Sequence, residues 1–282
     1  MKKLISLIAI LALVFTLGAC ASSQDTDGNQ DSQQSSEQKD GAVVKLGVVG
    51  EANEAWQPVI EKLAKEDITL EIVSFSDYTL PNQALDDGDI DLNSFQHYAF
   101  LNNDIEKNGY KLTAIGETVI APLGLYSQKI KDISEIKNGD SIAIPSDTTN
   151  GGRALKLLES AGLIKVDPAA GYTPFVTDIT ENPLKLEFVE VEASLTPGLL
   201  PDVAAAVING GHAVDNGLVP SEDAIYLEKV EDGADNPYIN VIVARTEDKD
   251  NEVYKKVVEY YQTDEVAAII KEQYKGSYIT VW

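Results

Sequence analysis

The chain of 282 residues is poor in the side chains that carry most enzyme chemistry. It has a single cysteine, Cys20, and two histidines, His97 and His212. One cysteine cannot form an intramolecular disulfide, so an exported fold of this chain depends on its apolar core. The chain also contains no H-E-x-x-H or G-x-S-x-G string, which argues against zinc proteases and α/β-hydrolases. We therefore expect a protein that is not an enzyme and that needs no metal or other cofactor.

Basic residues are the second scarcity. The sequence has 22 Lys and Arg against 46 Asp and Glu, for a formal net charge of −24 at pH 7. Nucleic-acid binding needs clustered basic side chains, so this balance excludes a nucleic-acid partner. Only two of the basic residues are arginines, Arg153 and Arg245. The string at residues 150–153 (NGGR) places one of them, with backbone N–H groups, at the N-terminus of a predicted helix, where together they could bind a carboxylate.

The N-terminus has the pattern of a bacterial export signal. Lys2 and Lys3 precede an apolar run over residues 4–17, which is too short for a membrane-spanning helix. The run ends in LGAC (residues 17–20), which resembles a lipobox, where the cysteine is lipidated and becomes the new N-terminus. We expect residues 1–19 to be removed. Loss of the two lysines would change the side-chain charge from −24 to −26.

A polar tether follows the lipidated cysteine. Residues 21–41 consist mostly of Ser, Gln, Asp and Gly and contain no large apolar side chain. Such a segment cannot offset its ordering entropy by burial, so we predict a disordered tether over residues 20–42. The lipid on Cys20 would hold the folded part at the extracytoplasmic face of the cell membrane.

Strand and helix patterns alternate from residue 43 onward, which predicts an α/β fold with parallel sheets and helices on both faces. Two such sets indicate two lobes, with residues 43–120 and 238–282 in lobe I and residues 121–237 in lobe II. The chain is predicted to cross between them at residues 114–125 and again near Pro237. Two crossings would form a hinge, and a ligand would bind in the cleft between the lobes. Strands are predicted over residues 43–49 and 70–75, among others. Helices are predicted over 199–206, 253–274 and 152–161, the last with Ala154, Leu155, Leu158 and Ala161 on one apolar face.

Two short motifs suggest other functions, and each has a simpler interpretation. Residues 134–137 (SEIK) match the S-x-x-K nucleophile motif of penicillin-binding enzymes, but no S-D-N or K-T-G string accompanies them. Residues 86–91 (DDGDID) are acidic like a calcium loop, yet lack the Gly and Glu that an EF-hand requires at its sixth and twelfth positions. A solvated turn explains the acidic run better than a metal site does.

Longer stretches of sequence resemble one family, the NLPA-type lipoproteins, which are the methionine-binding components of ABC importers. The resemblance covers nearly the whole folded part and lies in these segments: FSDYTLPNQAL (75–85), DLNSFQHYAFL (91–101), APLGLYSQKIK (121–131), IAIPSDTTNGGRALKLLESAGLI (142–164), LLPDVAAAVINGGHA (199–213) and NPYINVIVARTEDKD (236–250).

The resemblance implies a two-lobe fold like that of the periplasmic binding proteins, closing on a free amino acid. It implies that Arg153 pairs with the ligand carboxylate, and that Asn209 and Asn240 hydrogen-bond its backbone ends. Asn150 would support the carboxylate-binding loop. The side-chain pocket would be lined by four further residues: Tyr78, Phe95, His97 and Phe100. L-methionine is the expected ligand, and an ABC permease with its ATPase is the expected partner.

Three positions depart from the family pattern. Phe100 occupies a position where many relatives have Tyr, residues 211–212 read Gly-His, and residues 51–56 read EANEAW. These departures leave D-methionine and a methionine-containing dipeptide as alternative ligands. A surface adhesin or scaffold that uses the same fold with an idle pocket is the alternative from another functional class.

Overall fold

The computed structural model describes residues 41–230, 236–275 and 277–282, and residues 41–282 form one compact unit. The predicted export signal, Cys20 and nearly all of the predicted tether lie outside the described residues. The first strand begins at Ala42, the last residue assigned to the tether.

Two sheets organise the folded part. The strands are β1 Ala42–Val49, β2 Ile68–Phe75, β3 Leu92–His97, β4 Leu112–Ile120, β5 Gly124–Tyr126, β6 Ser141–Pro145, β7 Lys165–Val166, β8 Ile179–Glu181, β9 Glu187–Val191, β10 Ala205–Ile208, β11 Tyr226–Leu227, β12 Ile239–Arg245 and β13 Ile279–Thr280. The first sheet has the order β13-β4-β12-β3-β1-β2, and the second has the order β11-β5-β10-β6-β9. Strands β7 and β8 form a separate pair.

Both large sheets are mixed, so the prediction of parallel sheets was wrong. In the first sheet β1 pairs in parallel with β2 and β3, whereas β12 is antiparallel to both β3 and β4. In the second sheet β6 is parallel to β9 and β10, whereas β5 is antiparallel to β10 and β11. Strands β5 and β12, which run antiparallel to their neighbours, each follow a connection between the sheets, and β13 near the C-terminus pairs antiparallel with β4. A chain that leaves one sheet and returns later can enter it in the opposite direction without a crossover helix.

Helices cover the faces of both sheets. They are α1 Gln57–Ala64, α2 Pro81–Asp86, α3 Tyr98–Asn108, α4 Thr148–Ser160, α5 Gly210–Asp215, α6 Pro220–Asp223, α7 Glu252–Tyr261 and α8 Asp264–Gln273. One apolar core lies between the first sheet and α1, α7 and α8, and another between the second sheet and α4. The α4 core uses Ala154, Leu155 and Leu158, three members of the amphipathic face expected from the sequence.

The first connection between the sheets is shorter than predicted. Residues 114–120, assigned to a crossing, are the greater part of β4, and only residues 121–123 link β4 to β5. Gly116 lies in the middle of β4, and a Cβ there would come within 2.5 Å of Val258 in α7. A glycine is required at this position because helix α7 approaches the strand closely. The same glycine interrupts the apolar pattern by which a strand is predicted from the sequence.

Two of the predicted helices were also wrong. Residues 199–206 form turns followed by β10 rather than a helix, because Pro197 and Pro201 remove backbone donors. The C-terminal helix is two helices, α7 and α8. The chain turns at Gln262, and the Thr263 side chain accepts a hydrogen bond from the backbone N–H of Val266, which caps the second helix.

The described residues contain no helix with both the length and the apolar character needed to cross a membrane.

The glycine at position 152 is a point where the fold tolerates no side chain. A Cβ added there would lie 2.6 Å from the Thr173 Cα and 3.0 Å from the Tyr172 carbonyl oxygen, both backbone atoms. We predict that Gly152→Ala lowers the free energy of unfolding by about 1–3 kcal/mol, measured by urea denaturation. Gly198→Ala is the matched control, since a Cβ there meets nothing within 4 Å. A stabilised Gly152→Ala, as helix propensity alone would give, contradicts this packing.

Candidate functional site

A cavity between the two sheets brings together all eight side chains that the resemblance assigns to a ligand site. Lobe I supplies five of them from β3, α3, β12 and the loop after β2, and lobe II supplies three from α4 and the end of β10: Tyr78, Phe95, His97, Phe100 and Asn240, and Asn150, Arg153 and Asn209. The cavity has a volume of about 140 Å³. That both lobes contribute makes the cavity a site between lobes.

Three aromatic rings form one wall of the cavity. The ring centres of Tyr78, Phe95 and Phe100 lie 5.8–6.0 Å from one another, and Phe100 meets the other two edge to face. The Tyr78 ring also packs against His212 of lobe II, at 4.7 Å between centres. Burial of the Tyr78 hydroxyl raises its pKa, so this wall stays neutral at physiological pH. Ring edges of this kind favour an apolar, polarizable group such as a thioether.

Arg153 also lines the cavity and is already paired within the protein. Its side chain is 3% exposed, and its Nε and Nη2 donate to the two carboxylate oxygens of Glu228, at 2.9 and 2.5 Å. Nη2 also donates to the Ala121 carbonyl at 3.0 Å, and the guanidinium carbon lies 4.2 Å above the centre of the Tyr238 ring. The bidentate edge of the guanidinium is therefore occupied. Nη1 makes no hydrogen bond with the described residues.

The start of α4 differs from what the glycine motif suggested. The helix begins at Thr148, so residues 150–153 lie within it rather than in a loop before it. The Asp147 side chain caps the helix and accepts from the Asn150 backbone N–H at 2.9 Å. The idea that this helix N-terminus offers its N–H groups to a ligand carboxylate is thus wrong for Asn150, since Asp147 takes that donor.

A network of side-chain amides connects the two lobes at the cavity. The Asn150 Nδ2 donates to both oxygens of Asp147, which fixes the orientation of its amide. Its Oδ1 then accepts from Asn209 Nδ2 at 2.7 Å and lies 3.4 Å from His97 Nε2. His97 belongs to lobe I and both asparagines to lobe II. Asn150 therefore joins the lobes at the cavity, whereas its expected support of a carboxylate-binding loop stays a prediction.

His97 is neutral and has one fixed tautomer. Its Nδ1 accepts from the Phe100 backbone N–H at 3.1 Å and caps α3, so the ring proton is on Nε2, facing Asn150. Burial and, to a smaller extent, the positive charge of Arg153 lower the pKa of His97 to about 3, although the contact with Asn150 opposes both effects. His97 therefore offers a neutral N–H donor over the whole physiological range.

Asn209 presents an unsatisfied acceptor. Its Nδ2 is committed to Asn150, and its Oδ1 is buried without a hydrogen-bond partner among the described residues. A buried carbonyl oxygen without a donor costs about 1–3 kcal/mol. Asn240 in β12 is oriented in a similar way, because its Nδ2 donates to the Val119 carbonyl at 3.2 Å. The cavity thus carries amide acceptors that are suited to a cationic donor.

Several residues that line the cavity or contact Arg153 escaped prediction from the sequence. Glu228 is one of 46 acidic residues, 75 positions from Arg153, and no motif surrounds it. Tyr238 lies in a segment that the resemblance covers, but was assigned no role. The cavity also reaches an aromatic group on lobe I: Trp56, Tyr261, Tyr274 and Tyr278. Their spacing in the sequence is that of ordinary core residues, so it gave no signal.

The remaining candidate motifs lie away from this cavity. Ser134 and Lys137 are exposed, in and just after a short turn of lobe II, and neither lines the cavity. In the acidic run, Asp86 accepts from the Lys111 backbone N–H and Asp91 from that of Lys45, so these carboxylates fasten loops. Across the described part of the chain, no group of three or more His, Cys, Asp or Glu side chains is placed to hold a metal ion.

Comparison with known proteins extends the resemblance over the described fold. The family model described as NlpA lipoprotein matches residues 44–282. The chain is 45% identical over 241 residues to outer membrane lipoprotein 3 of Mannheimia haemolytica, covering 85% of this chain and 90% of that protein. It is 43% identical over 250 residues to the D-methionine-binding lipoprotein MetQ of Salmonella typhimurium, covering 87% and 91%.

Solved structures agree in fold. A nutrient binding protein from Burkholderia cenocepacia, solved bound to methionine, superposes with a TM-score of 0.80 at 42% identity, covering 85% of this chain and all of that one. The expected two-lobe fold of the periplasmic-binding-protein kind is thereby confirmed. The boundaries proposed for the lobes remain a prediction.

The buried histidines predict a pH dependence of stability. Burial lowers the pKa of both His97 and His212 from the ordinary value of 6.5, so the unfolded chain takes up these protons first. The stability they contribute is complete above pH 6.5 and is lost as the pH falls below it. We expect the unfolding free energy to fall between pH 7 and 5.5, and His97→Asn, which keeps a helix cap, to reduce that slope.

The measurement is urea denaturation at half-unit pH steps, and His212→Asn is the parallel variant, since these two are the only histidines. Each proton contributes up to about 1.4 kcal/mol per pH unit once the unfolded state is fully protonated. An unchanged slope in His97→Asn would show that His97 is not held neutral.

Proposed function

From the premise that this chain belongs to the NlpA lipoprotein family, we propose that it is a lipid-anchored substrate-binding protein that captures methionine and delivers it to an ABC importer. Its action is binding and release, without catalysis. Methionine is what the related Burkholderia cenocepacia structure contains and what the Salmonella typhimurium relative is named for.

The observation that carries the proposal is the pairing of complementary groups in one cavity. Among the described residues, Arg153 Nη1 makes no hydrogen bond and Asn209 Oδ1 is a buried acceptor without a donor, and both residues line the cavity. An α-amino acid carries a carboxylate and an ammonium group on the same carbon atom. Such a zwitterion leaves water at low cost only where both charges find partners.

The side chain of the ligand would extend toward the aromatic wall. Tyr78, Phe95 and Phe100 present ring edges without a charged group, and His97 is neutral. A thioether gains about 0.3–1.5 kcal/mol from contact with a ring edge, more than an alkyl chain of equal length would. A polar or charged side chain would lose its hydration there without compensation.

The carboxylate would be held by one edge of Arg153 rather than by its bidentate fork. Glu228 occupies Nε and Nη2, so Nη1 is the nitrogen of Arg153 that remains for the carboxylate. The sequence led us to expect a bidentate arginine, and the geometry favours a single-nitrogen contact. Even so, the ligand would meet a charged donor in a site largely shielded from water.

The stereochemistry of the ligand is the finer part of the proposal. We propose L-methionine, with D-methionine as the second candidate because the MetQ relatives carry that name. Phe100 lacks the hydroxyl of a tyrosine. Neither the aromatic wall nor the amides of Asn209 and Asn240 therefore discriminate strongly between the two enantiomers by hydrogen bonding to the ligand side chain. Discrimination between the enantiomers would come from the angle between Arg153 and Asn209.

The anchor and the partner follow from the same premise. Lipidation of Cys20 would hold the protein at the extracytoplasmic face of the cell membrane, within reach of the permease and its ATPase. Ligand contacts from both lobes would favour the closed form, because only that form makes all of them at once.

Isothermal titration calorimetry tests the proposal on the full chain in detergent, after unfolding and refolding to remove carried-over ligand. We expect L-methionine to bind more tightly than D-methionine, and leucine and glutamate to bind far more weakly than L-methionine. Asn209→Ala should weaken methionine binding about 10–100-fold, because the ammonium loses an acceptor. Asn108→Ala, on an exposed helix end away from the cavity, is the matched control. Failure of the refolded chain to bind any methionine species would refute the function.

A further inference from the structure

Arg153 contacts both chain connections between the lobes. Nη2 donates to the carbonyl of Ala121, in the three-residue link between β4 and β5. On its other side the guanidinium lies over the ring of Tyr238, which directly precedes β12 where the chain returns to the first sheet. One side chain of the ligand cavity therefore touches both segments that must bend when the lobes open and close.

Glu228 strengthens this arrangement from the same side. Its carboxylate receives Nε and Nη2 of Arg153, and its Oε2 also accepts from the Leu123 backbone N–H at 3.0 Å. Its own backbone N–H donates to the Leu123 carbonyl at 2.9 Å. Glu228 is thus bound to the first connection through both backbone and side chain. Its side chain is 17% exposed, so this carboxylate is screened from solvent.

The geometry of a guanidinium makes this pairing directional. Its five N–H groups lie in one plane, and two parallel bonds from Nε and Nη2 fix both the position and the plane of the group. The remaining nitrogen of the group, Nη1, then points in a direction that the position of Glu228 determines. A lone arginine side chain with four rotatable bonds would lose this definition.

We propose that Glu228 is a positioning residue of the ligand site. It holds Arg153 so that Nη1 faces the cavity, and it thereby links this donor to both connections between the lobes. This inference rests on the proposed function, in that Arg153 receives the ligand carboxylate. Glu228 itself does not touch the ligand.

Two physical effects of removing Glu228 have opposite signs. Loss of the counter-charge would leave Arg153 with a full positive charge and would strengthen its attraction for a carboxylate. Loss of the bidentate partner would release the guanidinium from its orientation and from the first connection. Positioning predicts that the second effect prevails, since a buried guanidinium without its partner reorients toward other acceptors or solvent.

The test uses Glu228→Gln in the full chain, with L-methionine and methioninamide as the two titrated ligands. Methioninamide keeps the ammonium and the thioether and replaces the carboxylate by a neutral amide. We expect Glu228→Gln to weaken methionine binding about 10–100-fold, about 1.4–2.7 kcal/mol, and to change methioninamide binding less than threefold, measured directly or by competition. Glu222→Gln is the matched control, because Glu222 is exposed and pairs with Lys275 outside the cavity.

Each other outcome decides against the proposal. An equal loss for both ligands would mean that Glu228 only stabilises the fold, and a gain for methionine would mean that it acts as a counter-charge. Should Glu228→Gln fail to fold, Glu228→Asp, which keeps the charge on a shorter side chain, must show the same selective loss for methionine. A wild-type chain that binds neither ligand would refute the proposed function rather than the role of Glu228 alone.

Discussion

The burial of one guanidinium is the constraint on which the site depends. Arg153 is 3% exposed at the place where the two sheets come together, and a charged group so placed needs a partner within the protein. Removing one member of a buried pair typically costs about 3–5 kcal/mol, so the position of Glu228 is as restricted as that of Arg153. Both residues are bound to the short link at residues 121–123. The connection, the ion pair and the cavity wall are therefore a single structure.

The rest of the cavity is organised by hydrogen bonds that leave few choices. Asp147 fixes the amide of Asn150, which then orients Asn209 and meets the ring of His97 from the other lobe. Each member has its donor or acceptor role determined by the one before it. The end of this series is an acceptor without a donor on Asn209, placed in the same cavity as the free edge of Arg153. A ligand with an ammonium and a carboxylate close together would satisfy both.

The sequence was informative where local pattern and local structure coincide. The apolar spacing in residues 154–158 predicted the buried face of α4, and the runs at residues 43–49 and 70–75 predicted β1 and β2. Strand β4 was missed because Gly116 interrupts its apolar pattern. A glycine is needed there because Val258 approaches the strand closely. The helix expected over residues 199–206 was wrong because two prolines outweigh its apolar spacing. Local reasoning fails where a distant part of the fold decides.

The same distinction applies to the site. The eight residues taken from the family resemblance line one cavity, although nothing in their spacing would have gathered them from five separate stretches of chain. Glu228 and Tyr238 could not be found in this way, because their importance lies in contacts with Arg153 that only the folded chain creates. Glu228 is one of 46 acidic residues, so nothing in the sequence distinguishes it from the others. Its partner Arg153 is one of only two arginines, and this scarcity drew attention to it.

The central claim is that methionine binds with its carboxylate on the free edge of an arginine that Glu228 holds in place. A crystal structure of the protein with L-methionine, grown from refolded material, tests this most directly. We expect a carboxylate oxygen within hydrogen-bond distance of Arg153 Nη1 and the ammonium donating to Asn209 Oδ1. Glu228 should still accept hydrogen bonds from Nε and Nη2 of Arg153. A carboxylate bound away from Arg153, or one that displaces Glu228 from it, would contradict the account.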